Sequence, residues 1–399
     1  MGSIKVISAI FLSAVILFCT ALHSLTASAD GERSALPADA EAEEQPAFDL
    51  EGCKAAAVYE CSSGVLLSGK NEKQLFPAGH FSKLMTALIA AEKIQQGELS
   101  FDDITVCSKR ANSQKDPQIW LEYGEKIRTE DLIKAICIGN ANDAEVALCE
   151  KMFVSENAFT DALKCKAKSL FENDISVDDS SGYTRISEIS AFDTAKVCSE
   201  LVKHEDFTGY YTTWMETVRD GKAELVSRNR LIRTYKGIKG FKVLFDKDVG
   251  YSAAVCAKRG NMTVCVVVFG MSDEDELLSK CRSLLDTAFN RYELFIPEVP
   301  DEALAPVKLL HGKKNEISLK VMFMKPVIVK LGRRKDIKCR YEIRGDQQAP
   351  IFEGTPVGKL EYILDGTVVS DGEICSAERV DEVDFLFNLR RTISNLLIL

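Results

Sequence analysis

The stretch FPAGHFSKLMTALIAAEKI, Phe76 to Ile94, constrains the fold more than any other part of the chain. From about Ser82 to Gln96 the apolar residues Leu84, Met85, Leu88, Ile89 and Ala91 recur at helical spacing. They cover a face too wide for a helix with one side in water, so the helix belongs in the middle of a domain. Gly97 supplies a C-cap. Lys83 lies in the first turn of this apolar helix and reads as a reactive group.

The flanking segments provide layers for such a helix. Ala55 to Tyr59 and Val65 to Leu67, around Ser62-Ser63-Gly64, predict two strands and a turn. Residues 101–150 read as a helical insertion, with Thr129-Glu130-Asp131 opening the periodic run Leu132, Ile133, Ile136, Cys137. Tyr251 to Gly260 and Met262 to Gly270 are apolar strands around Asn261, the closing hairpin of a central antiparallel sheet. Asp273 to Tyr292 predicts a packing helix. Phe295-Ile296-Pro297 marks a boundary, after which short strands alternate with turns, Asp365-Gly366 being a strong hairpin signal. The fold class is therefore α/β in the α+β sense: an antiparallel sheet flanked by helices (residues 50–295), then a small all-β domain (residues 300–378).

The ends of the chain speak of an address. Lys5, the apolar run Val6 to Leu22 and Ala27-Ser28-Ala29 form a secretory signal over residues 1–29. The alternative is a transmembrane anchor, although Ser8, Ser13 and Thr20 interrupt the run. Residues 30–49 form an acidic leader too poor in apolar surface to fold. Residues 381–399 form an amphipathic helix with Asp384, Asn388, Arg391 and Asn395 on one face and Leu386, Leu389, Ile393, Leu396 and Leu397 on the other. It is short for a span and has Arg390-Arg391 at its middle, so it is expected to lie in a membrane interface; the alternative is packing on the protein itself. A net charge of −10 argues against nucleic acid as a partner. The cysteines, 13 in all, are spread singly through apolar stretches without a metal-type pair, which favours buried free thiols over disulfides.

Three motifs resemble those of the serine D-alanyl-D-alanine carboxypeptidases, the low-molecular-mass penicillin-binding proteins (peptidase family S11). The family helix reads roughly Pro-Ala-Ser-x-Thr-Lys, then an apolar residue, Met and Thr. Pro77, Ala78, Lys83, Met85 and Thr86 match, Ser82 stands for the Thr, and the serine position holds His80 or, in an alternative alignment, Gly79. The second motif, Ser-x-Asn followed by Asp-Ala, is matched by Asn142-Asp143-Ala144, with Asn140 in place of the serine. For the third, Tyr235, Gly237, Gly240, Lys242, Gly250 and Tyr251 fall in register, and Lys-Thr-Gly becomes Lys242-Val243-Leu244. The resemblance implies a penicillin-binding/β-lactamase-like transpeptidase domain, and it extends loosely over the small β domain and the terminal helix.

In the resembled family the chemistry is acyl transfer through a serine ester. A nucleophile three residues before a lysine puts hydroxyl and amine one turn apart. The resemblance therefore assigns retained catalytic positions to Lys83 and Asn142 and a substrate-carboxylate position to Lys242. The degenerate positions are His80, Asn140, Val243 and Leu244. Ser82 is no replacement nucleophile, because adjacent helical residues point about 100° apart. Each retained residue also has a plain reading: Lys83 and Lys242 as charges beside an unused cleft, Asn142 as a helix-start cap. No cofactor or metal is expected, since His80, His204 and His311 are not in ligand-type spacing. The expectation is an exported family member on the outer face of the cytoplasmic membrane. It is catalytically inactive and binds peptidoglycan stem peptides or a cell-wall protein, with membrane contact through residues 382–399. The alternatives are an active D,D-carboxypeptidase and a structural scaffold with an unused cleft.

Overall fold

The computed structural model of the chain describes residues 47–171, 175–178 and 185–397. The signal segment and most of the acidic leader lie outside the described residues. The leader's last residues do not behave as a solvated tail: Phe48 stacks on Tyr292 at 6.4 Å, and Asp49 pairs with Lys280.

A six-stranded antiparallel sheet forms the centre. Its strands are β1 (Ala55–Glu60), β2 (Val65–Lys70), β3 (Ile238–Gly240), β4 (Val243–Asp246), β5 (Gly250–Arg259) and β6 (Met262–Met271). The order is β3-β5-β6-β1-β2, with β4 also paired to β5. Side chains alternate across the sheet, as strand geometry requires. Ala55, Ala57, Cys256, Cys265, Val267 and Phe269 face one core, and Ala56, Val58, Val255, Val264, Val266 and Val268 face the other. Both faces are covered, which is why the hairpin β5–β6 reads as continuous apolar runs.

The first core holds the helices. Helix α1 (Ser82–Gln95) is buried from Ser82 through Ala91, as its wide apolar face demands. Around it lie α2 (Thr129–Gly139), α3 (Asn142–Met152), α4 (Glu156–Leu170), α5 (Ala191–Leu201) and α6 (Glu205–Tyr211). The expected helical insertion is also partly extended, since Ile104–Val106 pairs with Lys126–Arg128. The other face of the sheet is closed by α7 (Glu274–Arg291), N-capped by Asp273.

A third core, built on Leu309, Ile317, Val357, Leu360 and Ile374, belongs to the C-terminal β segment. Pro356–Leu364 and Thr367–Ser376 form its main hairpin, and Asp365 and Gly366 both take positive φ (50° and 81°), as a type I′ turn needs. Helix α8 (Phe385–Leu397) follows, with Phe385, Leu386, Leu389 and Ile393 exposed.

Candidate functional site

The site lies where the start of α1, the α2–α3 junction and strand β4 meet. Ahead of α1, Gly79–Phe81 form one 3-10 turn that runs into the helix. This turn places His80 one turn before Lys83. Gly79 has a left-handed φ of 50°, and a side chain there would meet the methyl groups of Leu244 at 3.9 Å. Ser82 is buried, and its hydroxyl donates to the carbonyl of Gly79 at 2.8 Å. Its one proton is thus engaged behind the helix start.

Lys83 is 1% exposed. Its Nζ donates to Oδ1 of Asn142 at 2.7 Å and to Oε2 of Glu145 at 2.5 Å. The other oxygen of Glu145 accepts from the Thr86 hydroxyl at 2.9 Å. Asn142 and Glu145 are three apart on α3, so one helical face carries both partners of the lysine. Asn142 is not the helix cap that its position offered as a plain reading; the N-cap is Ala141. Its amide nitrogen donates to the carbonyls of Lys115 and Asp116 at 2.8 and 3.2 Å, so both ends of its side chain are engaged within the protein.

Asn140 terminates α2 in the left-handed conformation, φ 58°, a C-cap role that asparagine tolerates. There its Oδ1 accepts from Nζ of Lys242, which also donates to the carbonyl of Ile136 at 2.8 Å. Lys242 is 2% exposed and sits 5.4 Å from the centre of the Tyr211 ring. Burial, with a contribution from the charge on Lys83, holds its pKa down at about 7. The end of β3 just before it is threaded close to α6: a Cβ on Gly240 would lie 2.5 Å from the Tyr211 carbonyl oxygen. Val243 faces the α7 core, and Leu244 faces the helical core at the mouth of the site. His80 is half-buried; burial and the nearby charges of Lys83, Lys242, Arg185 and Arg228 depress its pKa to about 3. A group that gives up its proton so readily is a weak base.

The structure therefore brings together six of the seven residues singled out from the sequence, His80, Lys83, Asn140, Asn142, Lys242 and Leu244. The seventh, Val243, points to the far side of the sheet. Sequence reasoning missed Glu145, the carboxylate that neutralises Lys83. Its place one turn after Asn142 on the same helix was the available signal. Among the described residues no group of three or more His, Cys, Asp or Glu side chains is arranged to hold a metal ion. Chemically, the arrangement has two amines committed to internal acceptors and a neutral imidazole where a nucleophile would stand.

Comparison with known proteins agrees with the motifs. The D-alanyl-D-alanine carboxypeptidase family model matches residues 40–273, and that of the C-terminal domain of penicillin-binding protein 5 matches residues 292–382. The chain is 31% identical to D-alanyl-D-alanine carboxypeptidase DacF of Bacillus subtilis over 86% of this chain and 89% of that one. It is 23% identical to DacC of Escherichia coli over 86% and 87%. The fold superposes on penicillin binding protein 5 from Haemophilus influenzae with a TM-score of 0.73 at 20% identity, covering 86% of this chain and all of the other. A family match over more than half the chain, with the motif positions gathered at one site, leads to one conclusion: this chain belongs to the D-alanyl-D-alanine carboxypeptidase family.

Proposed function

We propose that this protein is a catalytically inactive family member that acts in peptidoglycan metabolism by binding. The observation that carries the reading is the internal pairing of both motif lysines. Lys83 is held by Glu145 and Asn142, and Lys242 by Asn140 and the Ile136 carbonyl. Acyl transfer through a serine ester needs a hydroxyl beside a free amine. Here the position one turn before Lys83 is His80, and the amine is neutralised by a carboxylate. A stem carboxylate would have to displace Asn140 to reach Lys242 and would meet Leu244 on the way. The bound wall material is therefore expected at the rim of the cleft. The chain is exported by residues 1–29 to the outer face of the cytoplasmic membrane, and α8, with its exposed apolar residues, touches the membrane surface.

The test is intact-mass analysis after incubation with labelled penicillin, alongside sedimentation with purified peptidoglycan sacculi. The expected result is no mass increase and saturable co-sedimentation. A stoichiometric adduct on any serine would restore the active-enzyme reading. A second reading, a scaffold without a ligand, is favoured by Leu244, buried beside Gly79 where the family motif has glycine. Absence of saturable binding to sacculi would select it.

A further inference from the structure

The loop that crosses in front of the second motif carries a feature the family chemistry does not use. Trp120 is 60% exposed. Its backbone is left-handed, φ 58°, a conformation that a bulky non-glycine residue rarely adopts. Its two neighbours, Ile119 and Leu121, are each 1% exposed. Their N–H groups are both held by the carboxylate of Asp143, at 3.0 to 3.1 Å. Asp143 is itself fully buried, in the first turn of α3 beside Asn142. Asn142 secures the same loop through the carbonyls of Lys115 and Asp116. The indole is fixed as well: with its amide turned to satisfy both ends, Gln118 accepts from Nε1 of Trp120 at 3.0 Å and donates to the Gln114 carbonyl at 2.8 Å.

A single exposed apolar residue carries no message by itself. Trp120 differs because the chain spends a buried carboxylate and a strained backbone to hold the largest side chain outward. Strain of this kind persists only where the surroundings over-determine it, and it gathers at ligand sites. The Trp120 loop is anchored on Asn142 and Asp143, the second-motif residues at the start of α3.

We propose that Trp120 is a ligand-contact residue that stacks on a sugar ring of the wall glycan strand. This rests on the reading of the protein as a wall binder. A fixed indole offers a flat apolar face with low conformational freedom to lose on binding. The C–H face of a pyranose is its natural complement, and an N-acetylated hexosamine adds no charge. The charges nearest in sequence are mixed, exposed Lys115 and Asp116 before the indole and Glu122, 3.9 Å from Arg219, after it, so what the loop offers a ligand is the apolar ring rather than a net charge. Tyr123, also exposed, lies on the same loop and offers a second aromatic ring.

The chain has two tryptophans, so fluorescence reports on each by elimination. The experiment titrates wild type, Trp214→Phe, Trp120→Phe and Trp120→Gly with stem-free N-acetylglucosamine oligomers, with a D-alanine-ended pentapeptide and with sacculi. The oligomers should quench emission in wild type and Trp214→Phe and leave that of Trp120→Phe unchanged. Sacculus binding by Trp120→Gly should weaken at least tenfold. Its melting temperature should stay level or rise, because glycine adopts the left-handed conformation freely and the lost indole was exposed. A merely structural role predicts the reverse pattern, lower melting with binding intact, and would overturn the proposal. So would sacculus or pentapeptide binding without any response to the oligomers; in that case the wall-binding reading stands alone. Failure of all three ligands to bind removes both.

Discussion

At the residue scale the decisive group is Glu145. A buried ion pair broken on one side leaves an uncompensated charge, at a cost of about 3–5 kcal/mol. Glu145→Ala should therefore lower stability by about that amount in denaturant unfolding, since Lys83 and Glu145 are both 1% exposed. Lys83→Met combined with Glu145→Leu should be much milder, because apolar groups of similar volume replace the pair. Equal destabilisation of the double variant would show that the pair is not what matters at this position. His80 supports a second prediction, on pH. Its folded pKa of about 3 lies below the ordinary 6.5. As pH falls from about 6.5 towards 3, the unfolded chain takes up a proton that the folded chain refuses, so stability falls. His80→Gln removes that loss. Its melting temperature relative to wild type should climb as pH drops through this window; a constant difference would refute the assignment.

At the element scale, β4 and α8 are the informative pieces. In β4 the alternation of a strand sends Leu244 to the mouth of the site and Val243 to the α7 core. The family glycine position thus carries the one side chain of the motif that can fill the cleft. Leu244→Ala should cost about 2–5 kcal/mol by cavity formation and open space beside Gly79. Unfolding curves check the first part and a crystal structure the second. For α8 the chain ahead of the helix matters. Val383 donates to the His311 carbonyl and Asp384 pairs with Lys313 at 2.8 Å, so contacts with the β segment run on through Asp384. A chain ending at Asp384 should keep the wild-type melting temperature and lose sedimentation with lipid vesicles, through loss of the apolar face. Continued sedimentation would dismiss α8 as a membrane contact. No described helix is long and apolar enough to cross a membrane.

At the scale of the whole molecule, the thiols report on packing. Among the described residues twelve cysteines are free, and of these only Cys165 and Cys339 are exposed. Desolvation raises the pKa of most of the buried ones, Cys107, Cys137 and Cys281 to about 11, 11 and 12, which makes them poor nucleophiles. In protein lacking residues 1–29, a thiol reagent should modify two groups quickly in the native state. The other ten should follow only on denaturation, without reductant. Several disulfides by intact mass would contradict this. The three cores explain why the chain is expected to answer as one packed body under these conditions: the central sheet is shared by two of them, and Tyr292–Phe295 ties the third to it by pairing with Val327–Lys330.

The sequence by itself determined the long central elements and their kind, though not the short strands Ile104–Val106 and Lys126–Arg128 inside the helical insertion. Period-two and period-3.6 patterns, the Asp365-Gly366 turn and the apolar breadth of α1 are local properties, and local chemistry selects them. Motif spacing also placed Lys83, Asn142 and Lys242 in one family frame, and it showed that the nucleophile, the relay serine and the Thr-Gly pair were replaced. Tertiary structure alone decided what became of the residues that remained. The partners of Lys83 and Lys242 come from α3 and from the end of α2, about 60 and 100 residues away in the chain, and no local pattern encodes a contact of that separation. The same holds for Trp120, whose outward pose depends on a carboxylate 23 residues further on. Pairing across such distances is settled by how the helices pack on the sheet, and only the folded chain brings those groups within reach of one another.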